Sequence, residues 1–373
     1  MEFINLFIQT PLKYLVPFIA ALTSIVFVHE FGHYYVARLC GVRVEAFSIG
    51  FGKEIYGWFN KHGTRWKICW LPLGGYVKFE GDANATSLPI ADDAPRSSTN
   101  FHGKKIWQRA AVVAAGPAAN FITAVVIFAG IFMFLGEQVS DPIVEKVLPG
   151  SAAEQAGIKS RDTIMEINGN EIATFNELQN LIFDRAGETL TLKIDRQGEI
   201  IVLQATPQVE IISSAFGGKE RIARLGIQGT SDPKHVRMLT HSLPSALVKG
   251  VEQTYFIVKT TLRYMGKIIT GRESADQLRG PAGIAQIAQG AASSGLLPFL
   301  SFVGLISVSI GLINLFPVPM LDGGHLVYYG IEALRGKPLG KAAQEWGFKI
   351  GLSMVMLLMV VATWNDVVRI FGG

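Results

Sequence analysis

Charge and cysteine are what this chain has least of. Charged residues fill 17% of its 373 positions against 49% apolar, and mean hydropathy is +0.32. A balance so far to the apolar side of a soluble globular average excludes a chain solvated on every face. Its two cysteines, Cys40 and Cys69, exclude a disulfide framework and a cysteine-ligated metal. No basic stretch is interleaved with aromatics, so nucleic acid is not an expected partner. No strong internal repeat or long low-complexity tract occurs, which excludes a repeat architecture.

Long apolar runs are what the chain does have. Four stretches can cross a lipid bilayer: about Val16 to Arg38, Trp107 to Leu135, Leu296 to Phe316 and Phe348 to Val368. The last is the weakest, since its charge-free core, Ile350 to Asn365, is near the lower length limit. A cleaved signal peptide is the other reading of the first, but Met1 to Pro11 holds Glu2 and no basic residue. Arg38 to Arg109 carries eleven Lys or Arg against six Asp or Glu, and the loop from Asp322 to Lys349 carries four against three. The positive-inside rule puts both on the cytoplasmic side and the segment from about Gly136 to Gly295 on the other. That bias also accounts for the net charge of +4.

The pentapeptide His29-Glu30-Phe31-Gly32-His33 closes the apolar run from Tyr14 to Val28. Residues four apart share a helix face, so both imidazoles can bind one Zn2+. Glu30, one residue round, can take a proton from water at the metal. The bland reading is chance polar residues near a helix end, yet two histidines and a glutamate are expensive in lipid without a function. On a helix starting near Thr10, His29 lies about 28 Å along, close to the cytoplasmic leaflet.

A zinc site needs a third protein ligand. One is offered by Asn314-Leu315-Phe316-Pro317-Val318-Pro319-Met320-Leu321-Asp322-Gly323-Gly324-His325, at the cytoplasmic end of the third run. Two prolines break the helix there, which is tolerated at membrane depth only against protein or a wet cavity. Asp322 can then reach inward as an oxygen ligand. His325 is the rival, expected in a supporting or structural role. Alone, the segment would read as an ordinary Pro-Gly helix stop, but the charge count puts it on the same side as the histidine pair.

Together these segments resemble the site-2 protease family of intramembrane zinc metalloproteases, most closely its bacterial regulator-of-sigma-E protease branch. The family pattern of HExxH in the first span and NxxPxPxLDG in the third is matched at each position. Val42 to Gly52, Leu71 to Lys78 and Gly116-Pro117-Ala118-Ala119-Asn120-Phe121 are similar as well. The resemblance implies that His29, His33 and Asp322 hold zinc, that Glu30 activates water and that Asn314 holds the substrate backbone.

Thr64 to Leu71 alternates apolar with polar, and Gly74-Gly75 is expected to make the turn before Tyr76 to Phe79. In the family such an element dips toward the active site, so Gly74 and Gly75 are candidate substrate-side positions where an edge strand pairs with an unwound helix. A hairpin that merely covers the bundle is the alternative. Between the second and third spans, Ser151 caps a short helix, Asn168-Gly169 makes a tight turn, and Thr174 with Glu177 opens the helix Phe175 to Arg185. Thr189 to Ile194 and Ile200 to Ala205 then alternate about Gln197-Gly198. This order resembles a circularly permuted bacterial PDZ domain, with Leu225-Gly226-Ile227 as carboxylate-binding loop and edge strand. Only one such domain fits, where some members of the branch carry two.

The expected fold is a multi-pass α-helical membrane protein of about four transmembrane helices, with an inserted α+β PDZ-like domain and a membrane-associated β-hairpin region. Its order is a first transmembrane helix (1–38), a cytoplasmic loop with hairpin (39–106), a second helix (107–136) and the PDZ-like domain (137–235). Amphipathic interfacial helices (236–293) and the third and fourth transmembrane helices (294–373) follow. The polar tract Asp82 to Asn100 reads as a linker. The resemblance implies a zinc endopeptidase of the bacterial inner membrane that cuts single-span proteins, either anti-sigma factors or remnant signal peptides. An upstream site-1 type protease would first remove the outer domain, and the PDZ-like domain, on the periplasmic side, would filter by size or dock cleaved tails. The alternatives are a proteolytically inactive membrane adaptor that binds peptide ends and, more weakly, a metal-ion transporter. A transporter would need acidic or His residues in the apolar cores of spans two and four, which have none.

Overall fold

The computed structural model describes residues 10–81, 99–183, 185–213, 219–271 and 278–371. The linker expected from Asp82 to Asn100 falls almost wholly outside them. Two compact units result: Met1–Ile131 with Leu243–Gly373, and Phe132–Ser242.

The first unit opens with helix α1 (Thr10–Leu39), whose 30 residues make about 45 Å, more than a bilayer core. Strands β1 (Val44–Phe59) and β2 (Arg65–Phe79) follow as an antiparallel hairpin turned at Asn60 to Gly63, where Asn60 Oδ1 accepts the His62 and Thr64 amides. Residues 46–49 of β1 lie opposite both 75–78 and 65–68 of β2, so the hairpin curls on itself. At Gly74-Gly75, where a turn is expected, β2 runs on as strand, and the chain reverses gradually between Ile68 and Gly75, since 65–68 and 75–78 meet 46–49 in opposite senses. The two glycines permit close approach instead: a Cβ on Gly74 would run into the Phe51 ring, and one on Gly75 would lie 2.7 Å from the Ser48 carbonyl oxygen. Helix α2 (Ile106–Gly130) comes next and continues through a π turn to Leu135.

The second unit contains β3 (Glu137–Ser140), β4 (Val144–Val147), α3 (Ala152–Gln155), β5 (Thr163–Ile167), β6 (Asn170–Glu171), α4 (Phe175–Ile182), β7 (Leu190–Arg196) and β8 (Glu199–Ala205). After these come β9 (Gln208–Ser213), β10 (Lys219–Arg224), β11 (Ile227–Gly229) and β12 (Val236–Leu239). A four-stranded antiparallel sheet has the order β6-β5-β7-β8, while β4 pairs with β11, β3 with β12 and β9 with β10. Ser151 and Thr174 cap α3 and α4 by accepting the Glu154 and Glu177 amides. Asn168-Gly169 and Gln197-Gly198 all take positive φ, as tight hairpin turns require. Helix α4 is shorter than the expected Phe175 to Arg185. Its Phe183 carbonyl accepts the Ala223 amide at the end of β10, not an amide of a further helical turn. Ile164, Leu178, Leu190, Leu192 and Ile194 are fully buried and form the middle of this unit's core.

The chain returns to the first unit with α5 (Leu243–Ile269), α6 (Pro281–Ser293), α7 (Leu296–Asn314), α8 (Asp322–Arg335) and α9 (Lys341–Phe371). Four helices are long and apolar enough to cross a membrane: Leu12–Leu39, Ile106–Leu135, Leu296–Asn314 and Ala342–Arg369. The first three contact one another through small residues, as helices in lipid do. A Cβ on Gly32 of α1 would strike the Ala115 carbonyl of α2, and one on Gly304 of α7 would lie 2.8 Å from the Phe128 ring of α2. Helix α5 buries Ala246, Gly250, Thr254 and Ile257 and leaves Leu247, Val251 and Tyr255 exposed. The first amides of α6 are satisfied from another helix, by the buried Asp366 carboxylate of α9, which accepts Gly280 N–H at 3.1 Å and Gly283 N–H at 2.9 Å.

Candidate metal centre

His29 and His33 lie one turn apart on α1, 8% and 9% exposed. They can sit this deep because α2 offers a glycine opposite them. A Cβ on Gly116 would overlap His33 Nε2 and lie 2.9 Å from His29 Cε1. The ring orientation of His33 is set by the Val112 carbonyl of α2, 2.9 Å from Nδ1. On the other side of the site the chain leaves α7 at Asn314 and cannot continue as helix through Pro317 and Pro319. Met320 takes a φ of 102°, a left-handed conformation that a side chain resists. Two glycines then let α8 start immediately: a Cβ on Gly323 would strike the Leu315 and Phe316 carbonyls, and one on Gly324 the Val318 carbonyl. Asp322, the first residue of α8, is thereby turned toward α1.

Three donor atoms converge as a result. His29 Nε2 is 3.1 Å and His33 Nε2 3.5 Å from Asp322 Oδ2, and the two Nε2 atoms are 3.2 Å apart. A tetrahedral zinc with ligand bonds of about 2.0–2.1 Å requires neighbouring donors about 3.3 Å apart. The spacing fits. Asp322 Oδ2 is buried without a hydrogen bond of acceptable geometry, as an oxygen waiting for a cation would be. Among the described residues, these three form the one cluster of His, Cys, Asp or Glu side chains placed to hold a metal.

A cavity of about 220 Å³ opens onto the cluster, and Glu30, Gly75, Tyr76, Val77, Asn314 and His325 all line it. A Cβ on Gly75 of β2 would lie 3.2 Å from Glu30 Cγ. The strand thus passes directly beside the acid. Gly74 faces Phe51 and does not line the cavity. Leu225, Gly226 and Ile227 belong to the second unit. There Leu225 is buried, the Leu225 and Gly226 carbonyls accept the Ala153 and Leu148 amides, and Ile227 opens β11 beside Val147. Two residues of the centre were not singled out from the sequence. Gly116 and Asn120, whose side chain meets His29, both belong to the stretch Gly116 to Phe121, whose one signal in the sequence is its likeness to the family.

The sequence profile of Peptidase family M50 matches residues 17–358. A protein of Rhizobium meliloti with the provisional name of a zinc metalloprotease is 46% identical over 97% of this chain and 98% of its own length. A similarly named protein of Agrobacterium fabrum is 44% identical over 96% and 97%. Metalloprotease MmpA of Caulobacter vibrioides is 36% identical over 95% of both chains. With a profile match over most of its length and relatives this similar end to end, the chain belongs to peptidase family M50, the site-2 protease family of zinc metalloendopeptidases.

Proposed function

We propose that this chain cuts transmembrane segments of other proteins, with zinc held by His29, His33 and Asp322, Glu30 as general base and Asn314 at the substrate backbone. The observation that carries this reading is the convergence of three donor atoms within 3.1–3.5 Å of one another beside Glu30, nine residues before the end of a membrane-length helix. When bound, zinc supplies Lewis acidity, acidifying water and polarising the scissile carbonyl. Glu30 receives the proton of the attacking water and delivers it to the departing amide nitrogen, so the hydrolysis balances. The β2 segment Gly75 to Val77 and Asn314 line the same cavity and can hold an extended chain by its backbone groups. A helical segment has those groups paired internally, so the substrate must unwind before it enters.

The finer assignment rests on the charge of the loops and the order of the second unit. Basic loops at the ends of the spans favour an inner-membrane protein with its centre near the cytoplasmic leaflet. Unit Phe132–Ser242 then lies on the periplasmic side as a PDZ-like domain. Strand β11 is bordered by a strand on one edge only among the described residues, which leaves a site for a peptide end after Leu225-Gly226. The substrates that suit such an enzyme are single-span remnants, anti-sigma factors or signal peptides, already trimmed by an upstream protease.

Cleavage of a detergent-solubilised transmembrane substrate by wild type and by Glu30→Gln, with zinc measured on both, tests the reading. Turnover by the wild type alone, with about one zinc in each protein, is the expected result. Turnover retained in Glu30→Gln refutes the role of Glu30. Absence of zinc from both correctly folded proteins points to the membrane adaptor.

A further inference from the structure

A neutral imidazole has one lone pair. A histidine that offers Nε2 to a metal must therefore carry its proton on Nδ1, and that proton needs an acceptor. His33 has one, since a backbone carbonyl can only accept and Val112 O lies 2.9 Å from its Nδ1. Among the described residues, His29 has no such carbonyl. At 3.2 Å from its Nδ1 stands the side-chain amide of Asn120, a fully buried residue of α2. As oriented, the amide nitrogen faces His29 and Oδ1 makes no hydrogen bond among the described residues. Amide oxygen and nitrogen exchange places by a half-turn about χ2, and the surroundings decide between them. With nitrogen inward, Nδ1 must accept, and the proton moves to Nε2, where it occupies the lone pair that faces Asp322. With oxygen inward, Nδ1–H donates to Oδ1 and the Nε2 lone pair is free.

We propose that Asn120 is a positioning residue, accepting the His29 Nδ1 proton through Oδ1 and so fixing the tautomer that can bind metal. The residue is well held for this task. Its backbone carbonyl accepts the Ser307 hydroxyl of α7 at 2.9 Å, and α7 comes this close because Gly311 has no Cβ; one there would lie 3.2 Å from Asn120 Cβ. The Gly116 to Asn120 stretch therefore serves both histidines, with a gap for the rings at one end and a proton acceptor at the other.

The proposal rests on His29 being a metal ligand, and the experiment separates the two. Zinc affinity is measured by chelator competition on the full-length protein in detergent for wild type, Asn120→Leu and Asn120→Asp, with helical content checked on each. Leucine keeps the volume and removes the acceptor, and zinc affinity is expected to fall about 10- to 100-fold. Aspartate can only accept, so Asn120→Asp is expected to keep wild-type affinity or exceed it. Cobalt-loaded Asn120→Asp should likewise retain the visible absorption of the wild-type tetrahedral site. A donor role for the wild-type amide would hold the tautomer that cannot bind, so it predicts that Asn120→Leu binds zinc as tightly as the wild type or more tightly, and that result overturns the proposal. If Asn120→Leu does not fold, Asn120→Ala, which also removes the acceptor, takes its place under the same criterion. A folded wild type without zinc overturns the ligand assignment and this proposal with it. Zinc in the wild type, with unchanged affinity in Asn120→Leu, overturns only the role of Asn120.

Discussion

At the scale of single residues, the centre depends on what is missing from α2 as much as on what α1 supplies. Gly116→Ala adds one methyl at the point where His33 Nε2 lies, in a helix whose backbone is backed by Pro117 contacts with α7. Neither the ring nor the backbone can yield without moving the donor triangle. Cleavage is expected to fall at least about 100-fold, as displacement near 1 Å does in active sites, with zinc content falling as well. Gly130→Ala, at the end of the same helix with open space around its Cβ, is the control and should be neutral in both assays. Wild-type zinc and turnover in Gly116→Ala would contradict the packing argument. The residue-level pattern was unevenly legible in the sequence. Spacing alone pairs His29 with His33, because four residues return a helix to the same face. No local rule connects them to Asp322, which is brought in by a broken helix, nor to Gly116 and Asn120, whose roles exist only once α1 and α2 are packed.

At the scale of elements, α8 is the piece that matters most to the site and the one least visible in the sequence. It carries four glycines at or near its ends and middle, Gly323, Gly324, Gly330 and Gly336, and reads as a loop. Packing overrides that propensity. Arg109 of α2 forms a two-pronged bond with Glu332 of α8 at 3.1 and 2.6 Å, and its guanidinium lies over the Tyr329 ring at 4.8 Å. Both partners are largely buried, 11% and 14% exposed at their side chains. Removing one charge leaves the other unpaired, so Arg109→Leu is expected to lower stability by about 3 kcal/mol, while Arg109→Leu with Glu332→Leu recovers most of it. Thermal unfolding in detergent measures both, and a double variant no better than the single one would show that the pair is not what holds α8. The curl of the hairpin was hidden for a related reason. Alternation from Thr64 to Leu71 signals a strand, but a Gly-Gly pair signals a turn and a close approach equally well. Only the neighbours, Phe51 and Ser48, decide between them.

At the scale of the molecule, the four apolar helices and the β-rich insertion follow from composition and periodicity, because both are set by the solvent each segment meets. What the whole chain adds is a division of stability. The buried residues of one core cluster all lie between Val144 and Leu225, while Tyr34, Phe47, Phe101, Val112 and Tyr329 belong to another in the first unit. The donor triangle lies in the first unit alone, joining α1 to α8 across nearly the length of the sequence. A ligand that binds only the folded form stabilises what it is tied to, by about 2.7 kcal/mol when free metal is a hundredfold above its dissociation constant. Chelation should therefore lower the unfolding midpoint of the first unit and leave that of Phe132–Ser242 where it was. A fragment spanning Phe132–Ser242 should unfold cooperatively by itself, at the midpoint of the chelator-insensitive transition in the full chain. Differential scanning calorimetry with and without chelator distinguishes the outcomes. If both transitions shift together, or the fragment does not fold, the two cores are one cooperative system and the division fails.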